Sequence, residues 1–343
     1  MPGVTDGGYE ISVVMPSFGN HDVLGRVLDG YERQDAPPGT FEMVVVADVN
    51  EPDVDKVDAA VAGRGFPVRR LLGERPGASS NRNVGRRAAE APIVLFTDND
   101  TIPTPSLVSE HLAWHRRHPE PHVAVTGHVR WATELKVTPF MQWLDLGMQF
   151  DFNSIPGDEA SWAHLYTANA SIKKAFIEQV GGWDEINLPY LYEDLDWGLR
   201  ARDHGLRVLY NRAAIVDHLR HDATVEFWKR KMTRLAQTER RFCALHPEIP
   251  PWFHDKFASA AALPPARGRG AKLLPFIPAS MRTPLGRQLP WIGARAWTAA
   301  DLWWRQQLAP PFLEAWDATD PDDAEAVQRD LAAFMEKPRD GER

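Results

Sequence analysis

Cysteine is almost absent. Cys243 is the single one in 343 residues, so neither an internal disulfide nor a thiolate zinc site is expected, and Cys243 reads as a packed helical thiol. No run of 18 apolar residues occurs, so no transmembrane helix is expected. Met1–Glu10 lacks the basic and apolar pattern of a secretory signal, which makes the cytoplasm the expected compartment. Positive charge is in deficit: 39 Lys and Arg against 47 Asp and Glu leave −8, and that sign does not suit a nucleic-acid partner. Internal repeats and long low-complexity tracts are missing too. What remains is 43% apolar and 25% charged, the balance of an ordinary globular protein.

Short apolar runs alternate with helical patterns through the first half. Ile11–Ser17, Phe41–Ala47, Val68–Leu72 and Pro92–Thr97 read as buried strands. Helices are predicted from Asn20 to about Gln34, with Asn20 as cap, and over Asp53–Ala62 and Ser79–Ala89. This alternation predicts a parallel sheet covered on both faces, with ligands beyond the carboxyl ends of its strands. Asp48 and Asp98 stand on that edge. Thr104–Pro105 is expected to cap and open a helix through Arg117. Val123–Val129 and Leu165–Ile172 read as strands, Lys173–Val180 as a helix ended by Gly181–Gly182. Glu193–His204 is predicted helical, Val208–Tyr210 and Ile215–Val216 as short strands, and Val225 to about Leu245 as helix.

Four constellations could carry chemistry. Asp98-Asn99-Asp100 follows the strand PIVLF. Two carboxylates there can share a hard divalent cation, or be a solvated turn. Glu193, Asp194 and Asp196 crowd the first turn of a predicted helix. The helix dipole alone favours acids there, while a general base would need such a fixed carboxylate. His218 follows a short strand and is either a third metal ligand or a structural histidine. Arg75-Pro76-Gly77-Ala78-Ser79-Ser80-Asn81-Arg82 opens a helix whose donors could approach a diphosphate, or is an ordinary capped helix.

Together and in this order, the segments VVMPSFGN, VVVADVN, RPGASSNRNVG, FTDND and GGWDE with YEDLDWGLR resemble the family 2 glycosyltransferases of the GT-A fold. The resemblance runs from Ile11 to about His221. It implies an α/β nucleotide-binding domain with a mostly parallel sheet sandwiched by helices, and an inverting, metal-dependent transfer from a nucleotide-diphosphate sugar, by resemblance a UDP-sugar. By position it implies donor contacts at Pro16, Ser17, Asp48, Arg75, Asn81, Arg82, Asp98 and Asn99. Gly182 and Trp183 would line the sugar and acceptor site. It puts Mn²⁺ or Mg²⁺ on Asp98, Asp100 and His218, makes Asp194 the catalytic base, and adds Glu193 to the catalytic pair. The sequence departs at Ala47, where the family usually carries an acid. Gln237-Thr238-Glu239-Arg240 is followed by Arg241, not by the tryptophan of processive relatives, so a polymerising synthase is not expected.

The expected organisation is a catalytic domain over 1–222 and a helical and irregular extension over 223–343 that shapes the acceptor side. Residues 261–300 carry Arg267, Arg269, Lys272, Arg282, Arg287 and Arg295 and no acid. That stretch is either irregular structure around the domain or an interfacial segment meeting anionic lipid. The acceptor would be a glycan, a lipid-linked sugar or a small molecule. Two other classes compete. A nucleotidyltransferase would need a glycine-rich loop with a phosphate-binding lysine, which Ser17-Phe18-Gly19-Asn20 does not supply. A non-catalytic binding protein would be expected to lose Asp98/Asp100 or Glu193/Asp194. No G-x-G-x-x-G follows the first strand, which disfavours a dinucleotide enzyme.

Overall fold

The computed structural model describes residues 8–220, 223–266, 269–277, 290–329 and 331. They divide into two compact units, Met1–Thr133 with Ser154–Arg220 and Glu325–Arg343, and Glu134–Asn153 with His221–Ala324.

The first unit begins with β1 (Ile11–Ser17), α1 (His21–Glu32), β2 (Phe41–Ala47), α2 (Val54–Val61), β3 (Val68–Leu72), α3 (Ala78–Ala88) and β4 (Ile93–Thr97). β5 (Thr101–Pro103), α4 (Leu107–Arg117) and β6 (Val123–Trp131) follow, and then α5 (Pro139–Leu144), which belongs to the second unit. β7 (Glu159–Ala160), β8 (Asn169–Lys173), α6 (Lys174–Val180), α7 (Glu193–Arg202) and β9 (Arg207–His218) follow in the first unit. The described strands form one sheet in the order β3-β2-β1-β4-β8-β6-β9-β5, with β7 on β9. Every residue of β2 is buried, as expected of a strand covered on both faces.

The sheet is mixed where the alternation predicted parallel strands. β3, β2, β1 and β4 are parallel, and so are β6 and β9, but β8 enters between β4 and β6 antiparallel to both. Antiparallel entry aligns Asn169 with Thr97, beside the acidic exit of β4. The two short strands predicted after Leu206 are one strand, interrupted by a bulge: Gly127 pairs with Asn211 and His128 with Ile215. Thr104 does not cap α4; its hydroxyl donates to the Ile215 carbonyl at 2.9 Å, and the helix starts after Ser106. Asn20 precedes α1 in a left-handed conformation and makes no side-chain cap. Gly85 lets α3 lie down on β1, since a Cβ there would meet Val14 Cγ1 at 2.2 Å.

A hydrogen-bonded chain fastens α4 to β8. His111 Nε2 lies 2.9 Å from Asn169 Oδ1 and His111 Nδ1 lies 2.8 Å from Ser171 Oγ. His115 Nε2 is 2.8 Å from the same Oγ, and its Nδ1 is 3.1 Å from Lys173 Nζ. The Asn169 amide nitrogen donates to the Ala214 carbonyl, so its oxygen must accept from His111. Donation then runs one way, from Lys173 through His115 and Ser171 to His111, with both imidazoles neutral. Burial lowers the pKa of His111 to about 4, and burial with the Lys173 charge lowers that of His115 to about 3.

The second unit is helical: α5 is joined by α8 (Val225–Leu245), α9 (Trp252–Ala261) and α10 (Pro290–Ala318). α10 packs against α8 and α9. Phe140, Trp143 and Trp304 form an aromatic cluster, and Trp143 Nε1 donates to Asp301 at 2.9 Å. Buried Glu239, within the Gln237–Arg240 stretch, accepts the first backbone N–H groups of α9 from Phe253 and His254 at 2.7 and 2.8 Å. Of the basic stretch, Arg267, Arg282 and Arg287 lie outside the described residues. α11 (Ala324–Arg329), apart from Ala324, belongs to the first unit. Among the described residues no helix is long and apolar enough to cross a membrane.

Candidate active site

The exit of β4 is folded back on itself. Thr101 Oγ1 donates to the Asp98 carbonyl at 2.8 Å and accepts the Asp98 N–H at 3.2 Å. This turn sends β5 back to pair with β9, setting Thr101 opposite His218. Asp100 Oδ2 therefore lies 3.4 Å from His218 Nε2 and 3.6 Å from Arg220 Nη1. The His218 ring stacks on Trp131, its partner on β6, at 5.3 Å and 16°. Asn99 Nδ2 reaches Ser17 Oγ at 3.3 Å and the Gly19 carbonyl at 3.2 Å, tying this turn to the end of β1. Pro16 sits half-buried one residue earlier.

Asp48 ends up inside the protein. Its buried carboxylate accepts from Asn50 N at 2.9 Å, Gly77 N at 2.7 Å and Asn81 Nδ2 at 2.9 Å. It thereby clamps the turn at Gly77 and the start of α3 to the end of β2. Gly77 has φ +105°, and a Cβ there would meet the Pro189 carbonyl oxygen at 2.4 Å, so only glycine allows this close approach. Ser79 fixes the same loop, its Oγ donating to the Leu188 carbonyl at 2.6 Å. Arg75 is exposed, its Nε 3.7 Å from Glu185.

The 188–192 loop leads straight into α7. Leu191 and Tyr192 both have positive φ, 65° and 60°. Two successive non-glycine residues in that region are held there by their surroundings. They deliver Glu193 and Asp194 to the first turn of α7, where the positive end of the helix favours acids. Arg82, buried on α3, meets them: Nη1 is 2.7 Å from Glu193 Oε1 and 3.8 Å from Asp194 Oδ1, and Nη2 is 3.3 Å from Asp98 Oδ1. Asp194 is held from the other side by Thr167, whose N–H and hydroxyl donate at 3.0 and 2.6 Å.

Burial and the neighbouring Asp194 charge push the Glu193 carboxyl well above the usual range, against the pull of Arg82. Asp98 is raised by desolvation, with Arg82 and His218 opposing and Asp100 and Asp194 reinforcing. The Tyr190 phenol is pushed up to about 12 by burial; Arg220 opposes this shift, while Glu193, Asp98 and Asp100 add to it. Arg82 stays charged despite its burial because three carboxylates face it.

Asp98, Asp100, Glu193, Asp194, Arg82 and His218 thus come together in the first unit, while Asp48 and Asn81 lie behind them. Trp183 does not present its ring to solvent. It packs 4.7 Å from Phe96 and 5.4 Å from Trp197 in the core. Gly182 offers its carbonyl to Arg200 at 2.8 Å, and a Cβ there would meet Asn83 Oδ1 at 2.2 Å. Three residues were missed by sequence reasoning: Thr167, Tyr190 and Arg220. Tyr190 and Arg220 adjoin motifs that were read, but nothing local marks Thr167.

Among the described residues, no three His, Cys, Asp or Glu side chains close on one point as a metal cage would require. Asp98 and Asp100 instead offer hard oxygen donors, with His218 beside Asp100. That set suits Mg²⁺ or Mn²⁺ bound by one or two carboxylates and completed by substrate phosphates and water.

A family model described as "Glycosyltransferase like family 2" matches residues 8–238. Two curated relatives, each called validoxylamine A glucosyltransferase, come from Streptomyces hygroscopicus subsp. limoneus and subsp. jinggangensis. Both are 26% identical in an alignment of 284 residues that covers 73% of this chain. The chain covers 60% and 64% of their lengths. Among solved structures, a mannosyltransferase from Pyrobaculum calidifontis in complex with GDP-Man and Mn²⁺ aligns with a TM-score of 0.55 at 18% identity. It covers 92% of this chain and 90% of its own.

Proposed function

The chain belongs to the family 2-like glycosyltransferases and has the GT-A fold, and we propose that it moves a sugar from a UDP-sugar to an acceptor hydroxyl with inversion. Asp194 is the base in this reading. The observation that carries it is the convergence of Asp194, Glu193 and Asp98 on one buried arginine at the ligand edge of the sheet. Asp194 takes the proton of the acceptor hydroxyl as that oxygen attacks the anomeric carbon opposite the departing diphosphate. Glu193 holds Arg82, and Arg82 holds Asp98, so the base and the donor-side carboxylate keep a fixed separation. Asp98 and Asp100, with His218 beside Asp100, would offer the oxygen donors for Mn²⁺ or Mg²⁺, which would neutralise charge on the leaving diphosphate. Asp48, Asn81, Ser17 and Asn99 shape the turns behind the nucleotide. The curated relatives are named for glucosyl transfer to validoxylamine A, which supports glucose as the transferred sugar.

The test pairs binding with turnover. A thermal-shift panel of nucleotide sugars with Mn²⁺ is expected to identify one donor. Asp194→Asn is expected to keep that shift and lose about 10²–10⁴-fold in UDP release with hydroxyl acceptors. Near-normal turnover in the variant would remove Asp194 from the mechanism.

For the described part of the basic stretch we propose contact with anionic lipid. Leu273 and Phe276 are 65% and 73% exposed, with Lys272 adjacent in sequence, the mixture that suits a membrane interface. Flotation with phosphatidylglycerol vesicles, but not with phosphatidylcholine, is expected, and Phe276→Asp should weaken it. Equal behaviour with both lipids would withdraw the proposal.

A further inference from the structure

Thr167 lies in the turn before β8, fully buried, and donates twice to one carboxylate. Its N–H meets Asp194 Oδ2 and its hydroxyl meets Oδ1, so the plane of the carboxylate is set by a single residue. The sheet places that residue: Asn169 pairs with Thr97, the last residue of the strand that delivers Asp98. The antiparallel entry of β8 therefore lines up the holder of the base with the carboxylate on the donor side.

Arg82 is the other group within reach of the Asp194 carboxylate. Arg82 Nη1 stands 3.8 Å from Asp194 Oδ1, beyond hydrogen-bond reach, whereas it is 2.7 Å from Glu193. A carboxylate released from Thr167 can close on that guanidinium. It would then be turned from the acceptor and held as an anion by a close ion pair, which weakens it as a proton acceptor. Misplacing a reacting group by about 1 Å costs on the order of 10²-fold in rate.

We propose that Thr167 is a positioning residue for the transfer, keeping the Asp194 carboxylate at ion-pair distance from Arg82 but short of a direct hydrogen bond, and aimed at the acceptor hydroxyl. This rests on Asp194 being the base. The test uses the full chain and the donor found in the thermal-shift panel, with Thr167→Val, Thr167→Ala, Thr167→Ser and Asp194→Asn side by side. Val and Ala keep the backbone N–H and remove the hydroxyl; Ala serves if the added methyl of Val prevents folding. Loss of a hydrogen bond to a charged group should lower kcat about 10- to 100-fold. KM for donor and the donor-induced thermal shift should stay within about twofold, because the donor's contacts are untouched. Thr167→Ser should return kcat to within a few-fold of wild type. If Val and Ala turn over like wild type while Asp194→Asn is inactive, the positioning role is overturned and the base assignment stands. If kcat falls equally in Ser, Val and Ala, the hydroxyl is not what matters and the proposal is likewise overturned. If Asp194→Asn turns over normally, the base assignment itself has failed.

Discussion

Around Arg82, three carboxylates are gathered on a buried cation at the exit of β4. Around Ser171, two histidines of α4 and an asparagine and a lysine of β8 form a one-way chain of hydrogen bonds. Arg82 and Ser171, at the centres of the two networks, are both buried. In the first, Arg82 stays charged while burial pushes Glu193 and Asp98 up against its pull. In the second, burial leaves both imidazoles neutral and each hydrogen bond is donated in one direction. Burial disfavours charge in both networks, and the partners decide how far that is opposed. The guanidinium pulls against the desolvation of its carboxylates, whereas the hydrogen bonds to Asn169 and Ser171 offset only part of the desolvation that keeps the rings neutral.

The largest break in this contrast should come from Arg82→Met. Removing one partner of a buried ion pair strands the others, and a loss of roughly 3–5 kcal/mol is expected. Urea unfolding would read it, and acid should restore part of the loss. Glu193 is already pushed up by burial and by Asp194, so without Arg82 it takes a proton more readily in the folded chain, and stability recovers as pH falls. A cost under about 1 kcal/mol would mean the carboxylates do not rely on Arg82, against the expectation for a broken buried pair.

The smaller effect is the acid response of the histidine chain, and its sign is opposite. Well above pH 6.5 both rings are neutral, folded or unfolded. Below it the unfolded histidines bind protons first, because the folded values are about 4 and about 3. Stability is therefore lost as pH falls from 6.5 toward 4, by roughly 3 kcal/mol for His111 at most. Urea midpoints at several pH values, compared between wild type and His111→Gln, would show a shallower acid slope in the variant. Equal slopes would mean His111 does not titrate across the transition.

Much of the first unit was legible from local pattern. β1, β2 and β3, and α8 in the second unit, have the bounds the local patterns predict, because each is long enough and bounded by turn or cap residues. The motifs around Asp98, Glu193 and Arg82 were legible as well, and the structure brings them together. The partners that give these groups their chemistry were not. Asp48 read as a residue facing the nucleotide, yet its carboxylate is taken by Gly77, Asn81 and Asn50. Trp183 read as a site wall, yet its ring completes the core against Trp197. The bulge that joins two short apolar stretches into β9 has no signature in residues 211–215 alone.

The chain by itself determined the alternation of strand and helix, the acids at the exit of β4 and the start of α7, and their order, since propensity, capping and apolar run length act over a few residues. Only the tertiary structure decided that β8 runs antiparallel between β4 and β6, that Arg82 rather than solvent faces Glu193, and that Thr167 holds Asp194. Those contacts link residues 27 to 111 positions apart. Strand pairing and loop docking set their distances, and no local preference encodes a register between distant segments.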